Sequence, residues 1–360
     1  MAASALFYCI LVAFGLYFVG SARVDVETGV FEARQVLTLA EKQLETSTVT
    51  DLPFVTISYA QTLDGSIAPL KRARLDISSK TSFRLLHSLR ARHEGVLVGI
   101  NTVVADQPRL NVRDPLPGVQ IPETSMQPRP VVIDSQLRLL DVPNLQLLRP
   151  IVCSCLLDFT TTTISETSRG IDQKEHQDET WLSPGPGSAA SPGLSIELET
   201  RWVRARILLE SLGGTLVACK RDALTGQCDL RDCLRRLRAP PLNLRSLLVE
   251  GGAGVIQSVL AAGLAHQAVV TLRPCFLGGY RSMISQLQQP VSLHQVSVAS
   301  VGGDVVMHGV LDTAKQLSSP ASASGSASGS TRASEEENVN REFARERPLV
   351  SLVIPTVSKT

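Results

Sequence analysis

Aromatic residues are scarce in this chain. They make up 4% of 360 residues, with 2 Trp, 4 Tyr and 9 Phe. So few rings exclude base or sugar stacking as the main binding mode. Net charge is nearly absent as well, at +1 from 35 basic and 34 acidic residues. That balance excludes the overall electrostatic footprint of a nucleic-acid-binding protein, so recognition of any anion has to be local. The seven cysteines, Cys9, Cys153, Cys155, Cys219, Cys228, Cys233 and Cys275, form no C-x-x-C pair and repeat no spacing. Partner thiols or histidines at ligand spacing are missing, so the expectation is no metal site but reduced, buried thiols. Cys153 and Cys155 alternate within an apolar run, which aims both at one face of a strand. G-x-S-x-G is absent and the six histidines are scattered, which leaves no serine-nucleophile constellation. The H-x-E and P-C-x-x-C pair of zinc deaminases is also absent. No Walker lysine follows a glycine-rich loop.

What is present is core-forming material. Hydrophobic residues are 43% of the chain, enough for one large α/β domain or two small ones. Residues 5–20 (ALFYCILVAFGLYFVG) carry no charge. The run is slightly short for a membrane span and suits a signal-peptide core, although no Lys or Arg precedes it. An anchor or signal, a helix packed on the domain, and a start placed too far upstream all fit this stretch. A cytoplasmic location is expected, with membrane contact only through residues 5–20. Residues 23–50 show helical spacing of apolar positions and read as an amphipathic helix or linker.

The main domain is expected over 53–315. Strands are predicted at 54–59, 95–99, 130–134, 151–156, 214–219, 247–250, 268–272 and 304–311. Helices are predicted from a Ser78 or Ser79 cap to His93, over 202–212, from an Asp229 cap to Arg238, and over 255–262. Short apolar strands alternating with helices indicate an α/β fold with a mostly parallel central sheet flanked by helices. Residues 158–200 are polar, without periodicity and rich in Ser, Thr, Gly and Pro, and are expected to be a disordered insertion. The tail, 316–360, begins with low-complexity sequence and is expected to be disordered too.

Two segments carry chemistry. In Gly95 to Arg113 (GVLVGINTVVADQPRLNVR) a strand runs straight into hydroxyl, carboxylate and guanidinium groups. Ligands of open α/β sheets sit beyond such strand ends. Thr102 and Asp106 share a side of any helical turn here and offer a hydroxyl and a carboxylate, unless Asn101 or Thr102 simply caps the turn. Arg109 and Arg113 suit a phosphate, or are ordinary surface arginines. In Leu247 to Leu260 (LLVEGGAGVIQSVL) glycines lie between a strand and a helix. That pattern makes a phosphate cradle from backbone N–H groups, or a tight turn with no ligand. Glu250, at the strand end, is either solvated or facing a ligand. Asp64 in a Leu-Asp-Gly turn, with Lys71, Arg72 and Arg74 after it, could also meet an anion.

Five ordered segments, FVTISYAQTLDGSIA, LRARHEGVLVGINTVVADQPRLNVR, RPVVIDSQLRL, LLVEGGAGVIQSVLAAGL and CFLGG, together resemble a known family. It is the reductases of riboflavin biosynthesis that act on 2,5-diamino-6-ribosylamino-4(3H)-pyrimidinone 5′-phosphate. The resemblance runs from about Pro53 to Leu311, interrupted by the 158–200 insertion. It implies a dihydrofolate-reductase-like fold, NADPH as cofactor, a homodimer, and reduction of a ribosyl to a ribityl chain. It also implies the stand-alone fungal style rather than the bacterial deaminase–reductase fusion. Carried over by position, Thr102, Asp106, Ser135 and the turn Glu250, Gly251, Gly252, Ala253 and Gly254 look like cofactor contacts. Arg90, Leu110 and Arg113 look like substrate contacts. Asp64 or Glu250 would assist any proton transfer.

Overall fold

Residues alternate between the two faces of a strand, and here both faces are apolar. In β3 (Gly95–Gly99), Leu97 faces one core while Val96 and Val98 face another. In β7 (Ser246–Gly251), Leu247 and Val249 share the core of Leu97, and Leu248 lies on the other side. Strands buried on both faces belong in the middle of a helix-covered parallel sheet.

The computed structural model describes residues 29–47, 51–70, 77–157, 192–283 and 287–312. Nine strands form one sheet in the order β10-β11-β8-β1-β7-β3-β4-β5-β6. These are β1 (Phe54–Thr62), β3, β4 (Arg129–Ile133), β5 (Ile151–Ser154), β6 (Thr215–Ala218), β7, β8 (Gln267–Arg273), β10 (Leu293–Val301) and β11 (Asp304–Leu311). From β8 to β6 every pairing is parallel, and β11 and β10 add an antiparallel hairpin at the β8 edge. Two short strands, β2 (Ser66–Ala68) and β9 (Tyr280–Arg281), pair separately.

Helices cover both faces. On one side, α5 (Leu230–Arg238) contributes Cys233, Leu234 and Leu237, and α6 (Ala253–Ala261) contributes Ile256 and Val259, to the core of Val55, Ile57 and Val249. On the other lie α1 (residues 29–46), α2 (Lys80–Arg92), α3 (Ile100–Asp106) and α4 (Pro192–Ser211). Helix α1 packs on the domain: Ala33, Val36, Leu37 and Ala40 are buried against Leu85, Leu89 and Val306.

The caps explain several boundaries. Ser79 accepts from the Ser82 N–H at 3.2 Å and starts α2, while Arg90 and Arg92 complement its carboxyl end. Asp229 accepts from the Arg231 and Asp232 amides at 2.9 and 3.1 Å and starts α5. Helix α4 begins inside the stretch expected to be disordered, where Pro192 is the first helical residue, a position proline favours. Residues 158–191 and the tail from 313 lie outside the described residues, as do residues 5–20 and the basic run at 71–76. Among the described residues no helix is long and apolar enough to cross a membrane.

One polar thread crosses the interior. His93 Nδ1 lies 2.7 Å from the Leu89 carbonyl, and its Nε2 lies 2.8 Å from Thr56 Oγ1. Thr56 accepts from Gln267 Nε2 at 2.9 Å, and Gln267 Oε1 meets His308 Nε2 at 2.9 Å. All four side chains are buried. The Leu89 carbonyl and Gln267 Oε1 can only accept, so His93 Nδ1 and His308 Nε2 donate. Burial holds the His93 pKa down at about 4.

Candidate active site at the carboxyl ends of the strands

Strands β3 and β7 are neighbours and end together, so the elements that follow them meet. Leu97 pairs with Val249, but Val98 pairs with Gly251, so Glu250 is the extra residue of a bulge. A bulge re-aims a side chain. Glu250 turns to Arg90, in the last turn of α2, and accepts from Nε and Nη2 at 2.6 Å each. The two side chains are 8% and 7% exposed. Arg90 Nη1 also donates to the Asn111 carbonyl at 2.9 Å. One guanidinium therefore ties together α2, β7 and the loop after α3.

Beyond Glu250 the backbone turns through Gly252, at φ 70°, into α6. A Cβ on Gly252 would stand 3.1 Å from Thr102 Oγ1, as would one on Gly251. Thr102 thus rests against the glycine turn, although the two are far apart in sequence. No side chain caps α6, and its first turn closes on the Gly252 carbonyl through the Val255 and Ile256 amides. Backbone N–H groups at such a helix start suit an anionic group. Asp106 is the last residue of α3, exposed, one turn beyond Thr102.

The loop after α3 holds the residues expected to meet substrate. Leu110, at φ 54°, is 2% exposed and packs with Val98, Ile100 and Val103. Its side chain is core, which leaves its backbone as the part able to meet a ligand. Arg113 is exposed; its Nη1 donates to Asn111 Oδ1 at 2.9 Å. Arg109 Nε donates to Gln146 at 2.8 Å. Sequence reasoning missed His87, whose Nδ1 accepts the Arg113 N–H at 3.1 Å while its Nε2 has no partner. Burial, then the charges of Arg90 and Arg113, lower its pKa to about 4. Its place three residues before Arg90 on α2, the spacing of one helix face, was the available signal.

Two expected roles change. Arg90, expected as a substrate contact, is buried and directs its guanidinium to Glu250 and the Asn111 carbonyl. Asp64 does not look like a proton donor. Its carboxylate accepts from Thr62 Oγ1 at 2.5 Å, Ser66 Oγ at 2.6 Å, and the amides of Leu277 and Gly278 at 3.0 and 2.8 Å. Those bonds, the Ser66 hydroxyl first, hold it well below the usual carboxylate range. Asp64 is a clasp that joins the TLDGS turn after β1 to the CFLGG segment after β8. Ser135, after β4, is 5% exposed, and its Oγ accepts from the Cys228 N–H at 3.0 Å, so its hydroxyl faces inward.

Apart from Arg90, on α2, the sequence-predicted residues thus lie at or beyond the carboxyl ends of β1, β7, β3 and β4, which are consecutive in the sheet. Residues 53–307 match the model of the RibD C-terminal domain. The chain belongs to the RibD C-terminal domain family. A relative from Candida glabrata, named 2,5-diamino-6-ribosylamino-4(3H)-pyrimidinone 5′-phosphate reductase, is 40% identical over 263 residues, covering 71% of this chain and 88% of the relative. The Saccharomyces cerevisiae protein of the same name is 28% identical over 261 residues, covering 72% and 86%. The riboflavin biosynthesis protein RibD of Aquifex aeolicus is 25% identical over 293 residues; the match spans 80% of this chain and 65% of that longer protein. The solved structure of Acinetobacter baumannii RibD, form 2, shares the fold at a TM-score of 0.50 and 20% identity, covering 73% of this chain and 58% of that one. The dihydrofolate-reductase-like architecture implied by the family motifs agrees with the mostly parallel sheet described above.

Proposed function

We propose that this RibD-family chain reduces the ribosyl side chain of 2,5-diamino-6-ribosylamino-4(3H)-pyrimidinone 5′-phosphate to the ribityl chain, with NADPH as reductant. The observation that carries the reading is the glycine turn after Glu250, set against Thr102 at the ends of two adjacent parallel strands. The names of the fungal relatives support the substrate. The residues fit a dinucleotide phosphate: a Cβ at Gly252 would fill the cradle, and no side chain competes for the start of α6.

The cofactor, when bound, supplies the hydride that C1′ receives. Everything else falls to this chain. Amides of Gly252, Ala253 and Gly254 hold phosphate, and Thr102 and Asp106 meet the rest of the cofactor. Arg113 takes the substrate phosphate, with the Leu110 backbone beside it. Arg90 and Glu250 act by fixing the loop that carries both. Opening of the ribosylamine breaks the C1′–O4′ bond, the ring oxygen taking a proton from solvent, and gives an iminium at C1′; addition of hydride leaves a neutral amine. No protein acid is then needed for that step, which agrees with an Asp64 held ionised. The assembly proposed is a homodimer: the edge strand β10 exposes Val296 and Val298, apolar surface that a second copy would cover.

The test is loss of NADPH absorbance with purified protein, offered the diamino substrate and its deaminated counterpart in parallel. Oxidation with the diamino compound supports the reading. Turnover of only the deaminated compound moves the substrate, and failure to bind NADPH at all defeats the reading.

A further inference from the structure

The sequence shows no metal-ligand spacing, yet the fold gathers cysteines that lie far apart along it. Cys153 comes from β5, Cys219 follows β6, and Cys233 sits on α5. Their sulfurs all lie within 4.8 Å of one another, and all three residues are buried. A fourth, Cys228, lies beside them, its Sγ 3.7 Å from the Cys153 carbonyl. We propose that Cys153, Cys219 and Cys233, with Cys228 as fourth ligand, form a thiolate site for Zn2+.

The geometry suits the ion. Sulfurs around a tetrahedral zinc at about 2.3 Å stand roughly 3.8 Å apart, so the triad needs to draw in by about 1 Å at most. Soft sulfur donors select Zn2+ or Cu+ over harder cations, and four thiols favour the tetrahedral ion. Buried free cysteines commonly fill cores as small apolar residues; what sets these three apart is the convergence of their sulfurs on one point. The present polar contacts are long, such as Cys228 Sγ to the Cys153 carbonyl at 3.7 Å and Cys219 Sγ to the Val217 carbonyl at 3.8 Å.

The surroundings would hold the ligands in place. Ser135 fixes the Cys228 backbone through the 3.0 Å bond from its N–H. Arg236 pairs with Asp232 at 2.7 Å on α5, the helix that carries Cys233. On binding, each ligating thiol releases its proton to solvent and its sulfur lone pair forms the bond to zinc, with no change of oxidation state. The site would pin the β5–β6 margin to α5. It uses none of the residues of the glycine turn, so its metal content is measured independently of the proposed reaction.

Cobalt is the probe. The full-length chain, purified under reducing conditions and stripped with chelator, is titrated with Co2+ and then with Zn2+. The expected result is one Co2+ per chain, a sulfur-to-cobalt charge-transfer band with intense tetrahedral d–d bands, and loss of both on adding equimolar Zn2+. Cys219→Ser should abolish the bands, and Cys228→Ser should weaken them, while Cys275→Ser, which removes an exposed thiol, should keep them. Should Cys219→Ser not fold, zinc release from the unmodified, zinc-loaded chain by a mercurial thiol reagent gives the same information: one zinc per chain supports the site, and none overturns it. Absence of a stoichiometric charge-transfer band, or its survival in folded Cys219→Ser, also overturns it.

Discussion

Arg90 and Glu250 clamp each other through two parallel bonds of 2.6 Å, both side chains almost wholly out of water. A pair like this adds little net stability compared with apolar residues of the same shape, but removing one partner strands a buried charge. Glu250→Ala should therefore destabilise the fold by about 3–5 kcal/mol. Arg90→Lys should not restore function, because an ammonium cannot make the two-pronged contact. Denaturant unfolding checks the first statement and steady-state NADPH oxidation the second. A Glu250→Ala protein as stable as the parent would remove the pair from this account.

The glycine turn makes a sharper test, because two of its glycines differ. Gly252 needs its positive φ and abuts Thr102, so Gly252→Ala should lose about 1–3 kcal/mol of stability and weaken NADPH binding. Gly254 lies within α6 with open space around the place of a Cβ, so Gly254→Ala should fold at least as well as the parent. Thermal unfolding of the two variants side by side separates a conformational requirement from general sensitivity of the segment.

Asp106 ends α3 one turn beyond Thr102. Replacing it with Ala should weaken NADPH by roughly tenfold, the equivalent of one hydrogen bond to a charged group. Fluorescence titration reads this directly, and unchanged affinity counts against the assignment.

The buried histidines set an acid limit. His87 and His93 are held neutral down to about 4, against 6.5 for the ordinary side chain. Between those values the unfolded chain binds more protons, so stability should rise with pH from about 4 to 6.5 and then level off. Each histidine contributes up to about 1.4 kcal/mol per pH unit. Burial lowers His266 and His308 in the same sense. Asp134 works in reverse, since burial pushes its carboxyl up, but it is one group against four. Urea unfolding across that window, with His93→Gln as the flattened control, measures the slope.

Asp64→Asn offers a different kind of readout. The amide keeps acceptor capacity but loses the charge that gathers the Leu277 and Gly278 amides. A looser clasp should lower turnover while leaving the shape of the pH–rate profile unchanged. A missing limb in that profile would return Asp64 to the role of proton donor.

Much of this was legible beforehand, for identifiable reasons. Gly95–Gly99 and Asp304–Leu311 match their predicted spans, and Ser79 and Asp229 do cap helices, because alternation and capping are local signals. β10 was not predicted. Its sequence, LHQVSVASV, is an edge strand with a register shift and Gln295 at φ 51°, so its burial pattern is broken. At the site, Thr102 reaches the glycine turn because β3 and β7 are neighbours in the sheet, a pairing that a single sequence does not state. The engagement of Glu250 with Arg90 was hidden, because a bulge between paired strands leaves no mark in a single sequence. The cysteine triad was invisible for a similar reason, its members being drawn together only by the order β5, β6, α5.

The position of β1 bears on how the molecule is made. Phe54–Thr62 is flanked by Ser246–Gly251 on one side and Gln267–Arg273 on the other, so neither partner exists until the ribosome has passed most of the domain. Strands β3 to β6 find neighbours in chain order, but β1 must wait with its apolar residues uncovered. A chain stalled before residue 246 would expose Val55 and Ile57 and should collect chaperones or aggregate, and release of the segment through β8 should clear it.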